Sequence, residues 1–227
     1  MLKIHGVTFS THTRKVIITA LEKGLPYELV ETIPLKPPPG WKELSPLGLI
    51  PVLEDDRVRL TDSSVIGLYL EHRYPERPFY PQDSTNYAHA LWIEEFVDGG
   101  LARHVLHGVL LQRVFAPLFL KQPPNQALID ESLNELIPPK LDYLENSLES
   151  QWFAGDAFSI ADVAVASILL NYHYAGESLD AARYPGLGDF LKRACTRDSF
   201  RTAFAEEVPA ARRVEALDLS LFGRLGY

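Results

Sequence analysis

The chain has 227 residues, of which 46% are hydrophobic, enough for a sizeable core in one large or two modest domains. Its formal net charge of −8 argues against a general nucleic-acid binder and against an anionic membrane surface. A single cysteine, Cys195, excludes an internal disulfide framework and any multi-cysteine metal site. No run of 18 apolar residues is present, and the first residues lack the apolar core of a secretion signal, so a reducing cytoplasm is the expected compartment.

In chain order, Leu2 to Val7 reads as a strand and Thr8 to Thr13 as a loop running into a helix start. Helical spacing of Val16, Ile17, Ala20 and Leu21 predicts a helix over Arg14 to Lys23, ended by Gly24 and Pro26. Tyr27 to Ile33 is a second strand. The Pro-rich stretch 34–40 is a surface loop, and Trp41 to Leu44 one helical turn. Pro51 opens a third strand, the acidic pair Asp55-Asp56 turns the chain, and a fourth strand leads to a capped helix over Ser63 to Arg73. Val65, Ile66, Tyr69 and Leu70 are expected to face the sheet. The order implies a small α/β unit with a four-stranded mixed sheet. Pro75, Pro78 and Pro81 mark a linker, which divides the chain into residues 1–76, 77–84 and 85–227.

Everything beyond the linker reads as helix. A long apolar periodicity runs from Tyr87 to about Phe119, with a kink expected at Gly99-Gly100. Pro138-Pro139 should kink or divide the helix from Gln126 to Leu148. Ser159 and Asp162 form a capping-box variant before an apolar helix to about Leu170. Tyr184-Pro185-Gly186-Leu187 opens a further helix to about Thr196, and a short one covers Phe200 to Glu207.

Five stretches carry a resemblance. Pro46-Leu47-Gly48-Leu49-Ile50-Pro51-Val52-Leu53, followed by Asp62-Ser63-Ser64, is similar to the glutathione-binding half of the glutathione transferase family. Trp152 to Asp162 and Tyr184 to Phe190 resemble the turn, capped helix and helix entry of that family's all-helical domain, where they read as folding signals alone. Thr8-Phe9-Ser10-Thr11-His12-Thr13-Arg14-Lys15 is similar to the serine-type members, notably the phi class.

The resemblance implies a thioredoxin-like domain followed by an all-α domain. It also implies glutathione as co-substrate, a hydrophobic electrophile and a homodimer; the sequence itself holds no zinc-ligand spacing, P-loop or dinucleotide fingerprint. It assigns Ser10 as donor to the glutathione sulfur, although the same residue type and place suit a plain helix cap, and the two roles can coexist. Thr11 and Thr13 are rival hydroxyls, read as caps or helix-surface groups. His5 reads as a packed strand residue and His12 as a solvated loop histidine. Ile50 would offer backbone groups to the cysteinyl part, Pro51 would be the cis proline, and Asp62 and Ser63 would hold the γ-glutamyl end.

Leu49 departs from the family's usual Gln or Lys and cannot bind the glycyl carboxylate, and Lys36 is the candidate to replace it. Arg103, His104, His107 and Arg113 lie on the helix expected to line the second-substrate site. The tail from Leu217 to Tyr227 either covers that site or docks on the core. The alternative to a transferase is a non-catalytic binding or interaction protein on the same fold.

Overall fold

The computed structural model describes all 227 residues. Strand β1 (Leu2–Gly6) leads through the Val7–Ser10 loop into α1 (Thr11–Glu22), and β2 (Tyr27–Glu31) follows. A single helical turn, α2 (Trp41–Leu44), precedes β3 (Val52–Glu54) and β4 (Arg59–Thr61), and α3 (Ser63–Arg73) closes the unit. The sheet order is β2-β1-β3-β4, with β1 and β2 parallel and the other pairs antiparallel. The parallel β1–β2 pair needs a crossover, which α1 supplies. Gly24, at φ +67°, lets the chain leave α1 in the left-handed conformation.

Two registers matter for the site. His5 stands opposite Val52, and Val52 opposite Thr61. The exit of β1, the entry to β3 and the head of α3 therefore share one end of the sheet. Within α3, Ile66 and Leu70 are fully buried as their spacing predicts, but Val65 is 48% exposed. The periodicity overreached there: Val65 lies one position (about 100°) before Ile66 on the helix and faces outward.

After residues 74–83, which hold no helix or strand, all regular structure is helical. Helix α4 (Ser84–Glu95) continues without a break into wider helical turns at Phe96–Leu101 and Arg103–Leu120. Around Gly99-Gly100 the helical turns widen, so that the Ala102 N–H reaches Val97 O, five residues back. The double proline divides the next stretch into α5 (Gln126–Glu131), a wide turn (Ser132–Leu136) and α6 (Pro138–Ser147). Helices α7 (Ile160–Tyr174), α8 (Pro185–Cys195), α9 (Asp198–Ala211) and α10 (Ser220–Arg224) complete the chain. No helix is long and apolar enough to cross a membrane.

Helix α7 is the centre of the molecule, buried at every one of its 15 residues. It packs against α1, which joins the two domains into one core. The joint carries buried charges. The Arg14 guanidinium is wholly buried and donates to both carboxylate oxygens of Glu207 at 2.7 and 2.6 Å, to Asn171 Oδ1 and to the Ser167 carbonyl. Such a pair needs every donor satisfied to offset the loss of hydration, and this one spends four of its bonds across the domain boundary. The tail docks on the core, with Phe222 stacked on Tyr174 at 5.4 Å and Tyr227 edge-on to Phe204.

Candidate active site

Ser10 is the N-cap of α1. Its Oγ accepts from the Thr13 N–H at 3.4 Å, a long bond, while its own hydroxyl hydrogen has no acceptor in the protein. The residue is half-buried and sits at the positive end of a 12-residue helix. Thr11 and Thr13 are not surface groups: both are buried, and the Thr13 hydroxyl lies against Gly6. A side chain at residue 6 would collide with it, so the tight β1–α1 approach depends on glycine. Among the hydroxyls of Thr8, Ser10, Thr11 and Thr13, Ser10 alone belongs to a residue with partial exposure.

The Ile50-Pro51 bond is cis. Ile50 is half-buried, and neither its N–H nor its C=O bonds to another part of the chain. It thus presents a free donor and a free acceptor beside β3, the pattern an extended peptide needs to add a short strand.

Asp62 and Ser63 begin α3. Asp62 has φ +78°, a region that L side chains rarely adopt. Its Oδ1 accepts from the Ser64 and Val65 N–H groups, each at 3.0 Å, which offsets part of that cost and leaves Oδ2 without a partner. Ser63 is buried at 5% exposure, and its Oγ lies 3.4 Å from His12 Nδ1. His12 is therefore not a solvated loop residue. It is the second residue of α1 and bridges the heads of α1 and α3, with Nδ1 also 3.6 Å from Asp98 Oδ1. Burial pushes its pKa below the usual histidine value, opposed in part by Asp98.

Beneath these residues lies a cluster that the sequence did not single out. Lys15 is 1% exposed, and its ammonium donates to Glu94 Oε1 at 2.7 Å, to Asp98 and to Ser64 Oγ at 3.0 Å. Glu94 and Asp98 come from the helical domain, so Lys15 ties the head of α3 to that domain. A lysine four residues after a helix's first residue reads as surface charge, and only the packing of a second domain reveals otherwise.

The remaining sequence candidates divide. His5 is packed as expected, its Nε2 2.8 Å from Glu54 Oε2. Lys36 is exposed in the Pro-rich loop, and its ammonium makes no bond to the protein. Leu49 is 59% exposed beside Ile50, its carbonyl accepting from Ser45 Oγ. Arg113 is held by Glu177 at 2.6 Å and by the Ala175 carbonyl, so it is not free for a ligand. Phe9 stacks on Phe115 at 6.5 Å, with Phe119 beyond, which places an aromatic wall immediately before Ser10.

Residues 4–78 match the glutathione S-transferase N-terminal domain, and residues 107–198 match the glutathione S-transferase C-terminal domain. The chain belongs to the glutathione S-transferase family. Glutathione S-transferase GstB of Escherichia coli (strain K12) is 27% identical over 186 residues, covering 78% of this chain and 85% of that one. A stringent starvation protein A homolog from Haemophilus ducreyi is 25% identical over 87% of each chain. A glutathione S-transferase from Methylobacterium radiotolerans, solved in complex with glutathione sulfonate, is 27% identical with a TM-score of 0.76, covering 89% of this chain and 93% of that one. The four-stranded mixed sheet with α1 and α3, followed by helices alone, is the fold of this family: a thioredoxin-like domain and an all-helical one. Glutathione is the substrate this family shares.

Proposed function

We propose that the protein is a serine-type glutathione transferase that joins the glutathione thiolate to a hydrophobic electrophile. The observation that carries this reading is the Ser10 hydroxyl: half-buried, at the head of α1, with no acceptor for its hydrogen. A thiol at rest has a pKa of about 8.5, and only its thiolate is a strong nucleophile. A hydroxyl donor and a helix N-terminus both favour the ionised sulfur. A drop of ~2 pKa units corresponds to about 2.7 kcal/mol and makes most of the bound thiol thiolate at neutral pH.

Ile50 would pair with the cysteinyl backbone, and Ser63 with the γ-glutamyl carboxylate at the head of α3. The free Oδ2 of Asp62 would meet the ammonium. The thiol proton leaves to solvent. The thiolate then attacks an electrophilic carbon seated against Phe9 and Phe115, and the leaving group departs with its bonding pair. Peroxide or disulfide exchange would use the same thiolate. Residues 77–84 are the proposed linker, and the exposed Val65 and Trp92 support a homodimer interface.

Leu49 favours a second reading, a glutathione-transferase-like binding protein without turnover. It places an apolar side chain where a cation would hold the glycyl carboxylate, and Lys36 carries no contact that fixes it as a substitute. One experiment separates the two: glutathione binding by calorimetry, with thiolate absorbance followed across pH, for wild type and Ser10→Ala. Binding by both, with a depressed thiol pKa in wild type alone, supports the transferase. Binding with an ordinary thiol pKa in both supports the second reading, and no binding at millimolar glutathione sinks both.

A further inference from the structure

We propose that His12 is a positioning residue for the γ-glutamyl carboxylate of glutathione, and that binding there takes up a proton on its imidazole. The inference rests on the reading of Ser63 as the group that receives the γ-glutamyl carboxylate. Three observations carry it. First, His12 Nδ1 stands 3.4 Å from Ser63 Oγ and 3.6 Å from Asp98 Oδ1, so one ring nitrogen touches both the binding hydroxyl and a carboxylate of the other domain. Second, Nε2 has no protein partner and the side chain keeps 29% of its exposure, so the ring can exchange a proton with solvent. Third, the neighbouring ammonium is already committed: Lys15 donates to Glu94, Asp98 and Ser64 Oγ and makes no bond to Ser63.

The charged groups that face the ring come from every element around it. Asp98 lies on the Phe96–Leu101 turns, Asp62 at the head of α3, Lys15 on α1 and His107 on the Arg103–Leu120 helix. The two carboxylates favour imidazolium, and Lys15 and His107 oppose it, while burial keeps the free protein's ring neutral more than usual. A carboxylate arriving at Ser63 adds a negative charge next to that ring and shifts the balance toward imidazolium. Linkage then requires the reverse effect: protonating His12 tightens glutathione binding. Glutathione's carboxyls titrate near about 3.5, but a thiol lowered by ~2 at Ser10 would release a proton between pH 5 and 7.5, so S-methylglutathione, which has no thiol, is the ligand that isolates His12.

The test is S-methylglutathione titration calorimetry at pH 5, 6 and 7.5, in two buffers of different ionisation enthalpy, on wild type, His12→Gln and His12→Asn. Wild type should bind more tightly toward acid pH, with a slope approaching but not exceeding about tenfold per unit for one linked proton, and with measurable proton uptake. Both neutral variants should lose the slope and the uptake. The same slope and uptake in a folded variant, or pH-independent binding by wild type, would overturn the role of His12 while leaving the transferase reading intact. Absence of binding by both S-methylglutathione and glutathione at every pH would overturn both.

Discussion

Helix α7 and the pair α1 and α3 begin with the same residue types and use them in opposite ways. At α7 the cap closes on itself. Asp162 is fully buried, its Oδ2 accepts from the Ser159 N–H at 2.8 Å and its Oδ1 from the Phe153 N–H at 2.9 Å, and Ser159 Oγ donates back to Oδ2. At α1 and α3 the caps stay partly open. Ser10 makes one long bond, Asp62 uses one oxygen of two, and Ser63 touches only His12. A sealed cap spends its hydrogen bonds on folding, whereas an open cap keeps donors for a ligand. Burial separates the two cases, since a buried donor without an acceptor costs about 1–3 kcal/mol while a partly exposed one finds water.

The largest effect is expected beneath the open caps. Lys15→Met strands Glu94 and Asp98 as unpaired carboxylates, and removing one partner from a buried ion pair costs about 3–5 kcal/mol. Urea unfolding would measure it. A loss below about 1 kcal/mol would show that the open caps stand without this support. Asp162→Ala comes next: it orphans two buried backbone N–H groups, for about 2–4 kcal/mol in the same assay. Glutathione affinity per folded molecule should not change in Asp162→Ala, because the sealed cap reaches no ligand. A selective loss of affinity at full stability would erase the distinction between the two kinds of cap.

That distinction was only half legible in the sequence. Ser159 with Asp162 three residues on reads as a capping box from spacing alone, because both partners are local. Ser10, Ile50-Pro51 and Asp62-Ser63 were legible through resemblance and through their positions after strands and before helices. Lys15 and His12 were not, because their partners Glu94 and Asp98 lie some eighty residues away and meet them only when the helical domain packs. Val65 misled for a related reason. Periodicity marks an apolar face, but its edge is set by what packs against it.

Ser10→Ala sharpens the comparison from the other side. Loss of one long cap bond should cost under about 1 kcal/mol of stability. Loss of the proposed donor to the thiolate should cost about 2.7 kcal/mol at the bound sulfur, read as a rise of ~2 in its pKa and a matching fall in any turnover with a model electrophile. A stability loss as large as that of Asp162→Ala, with the thiol pKa unmoved, would make Ser10 a cap and nothing more.

The smallest effect tests whether α7 is wholly structural. Burial pushes Asp162 up to about 7, and burial beside Arg224 pushes His173, near the other end of the helix, down to about 4. The signs oppose. Between about pH 4 and 7 the folded Asp162 holds a proton that the unfolded chain has released, so its contribution to stability falls as pH rises. Between about pH 4 and 6.5 the unfolded His173 holds a proton that the folded one lacks, so its contribution rises with pH. The two slopes oppose in wild type, each reaching at most about 1.4 kcal/mol per pH unit. His12 and His104, also lowered by burial, add to the rising limb. Replacing His12, His104 and His173 together by Gln removes that limb and should leave stability that declines from pH 4.5 to 6.5 by about 1 kcal/mol per unit, measured as urea midpoints. A flat profile in that triple variant would mean that the three donors around Asp162 hold it ionised despite burial, and that the sealed cap carries a full charge at the centre of the molecule.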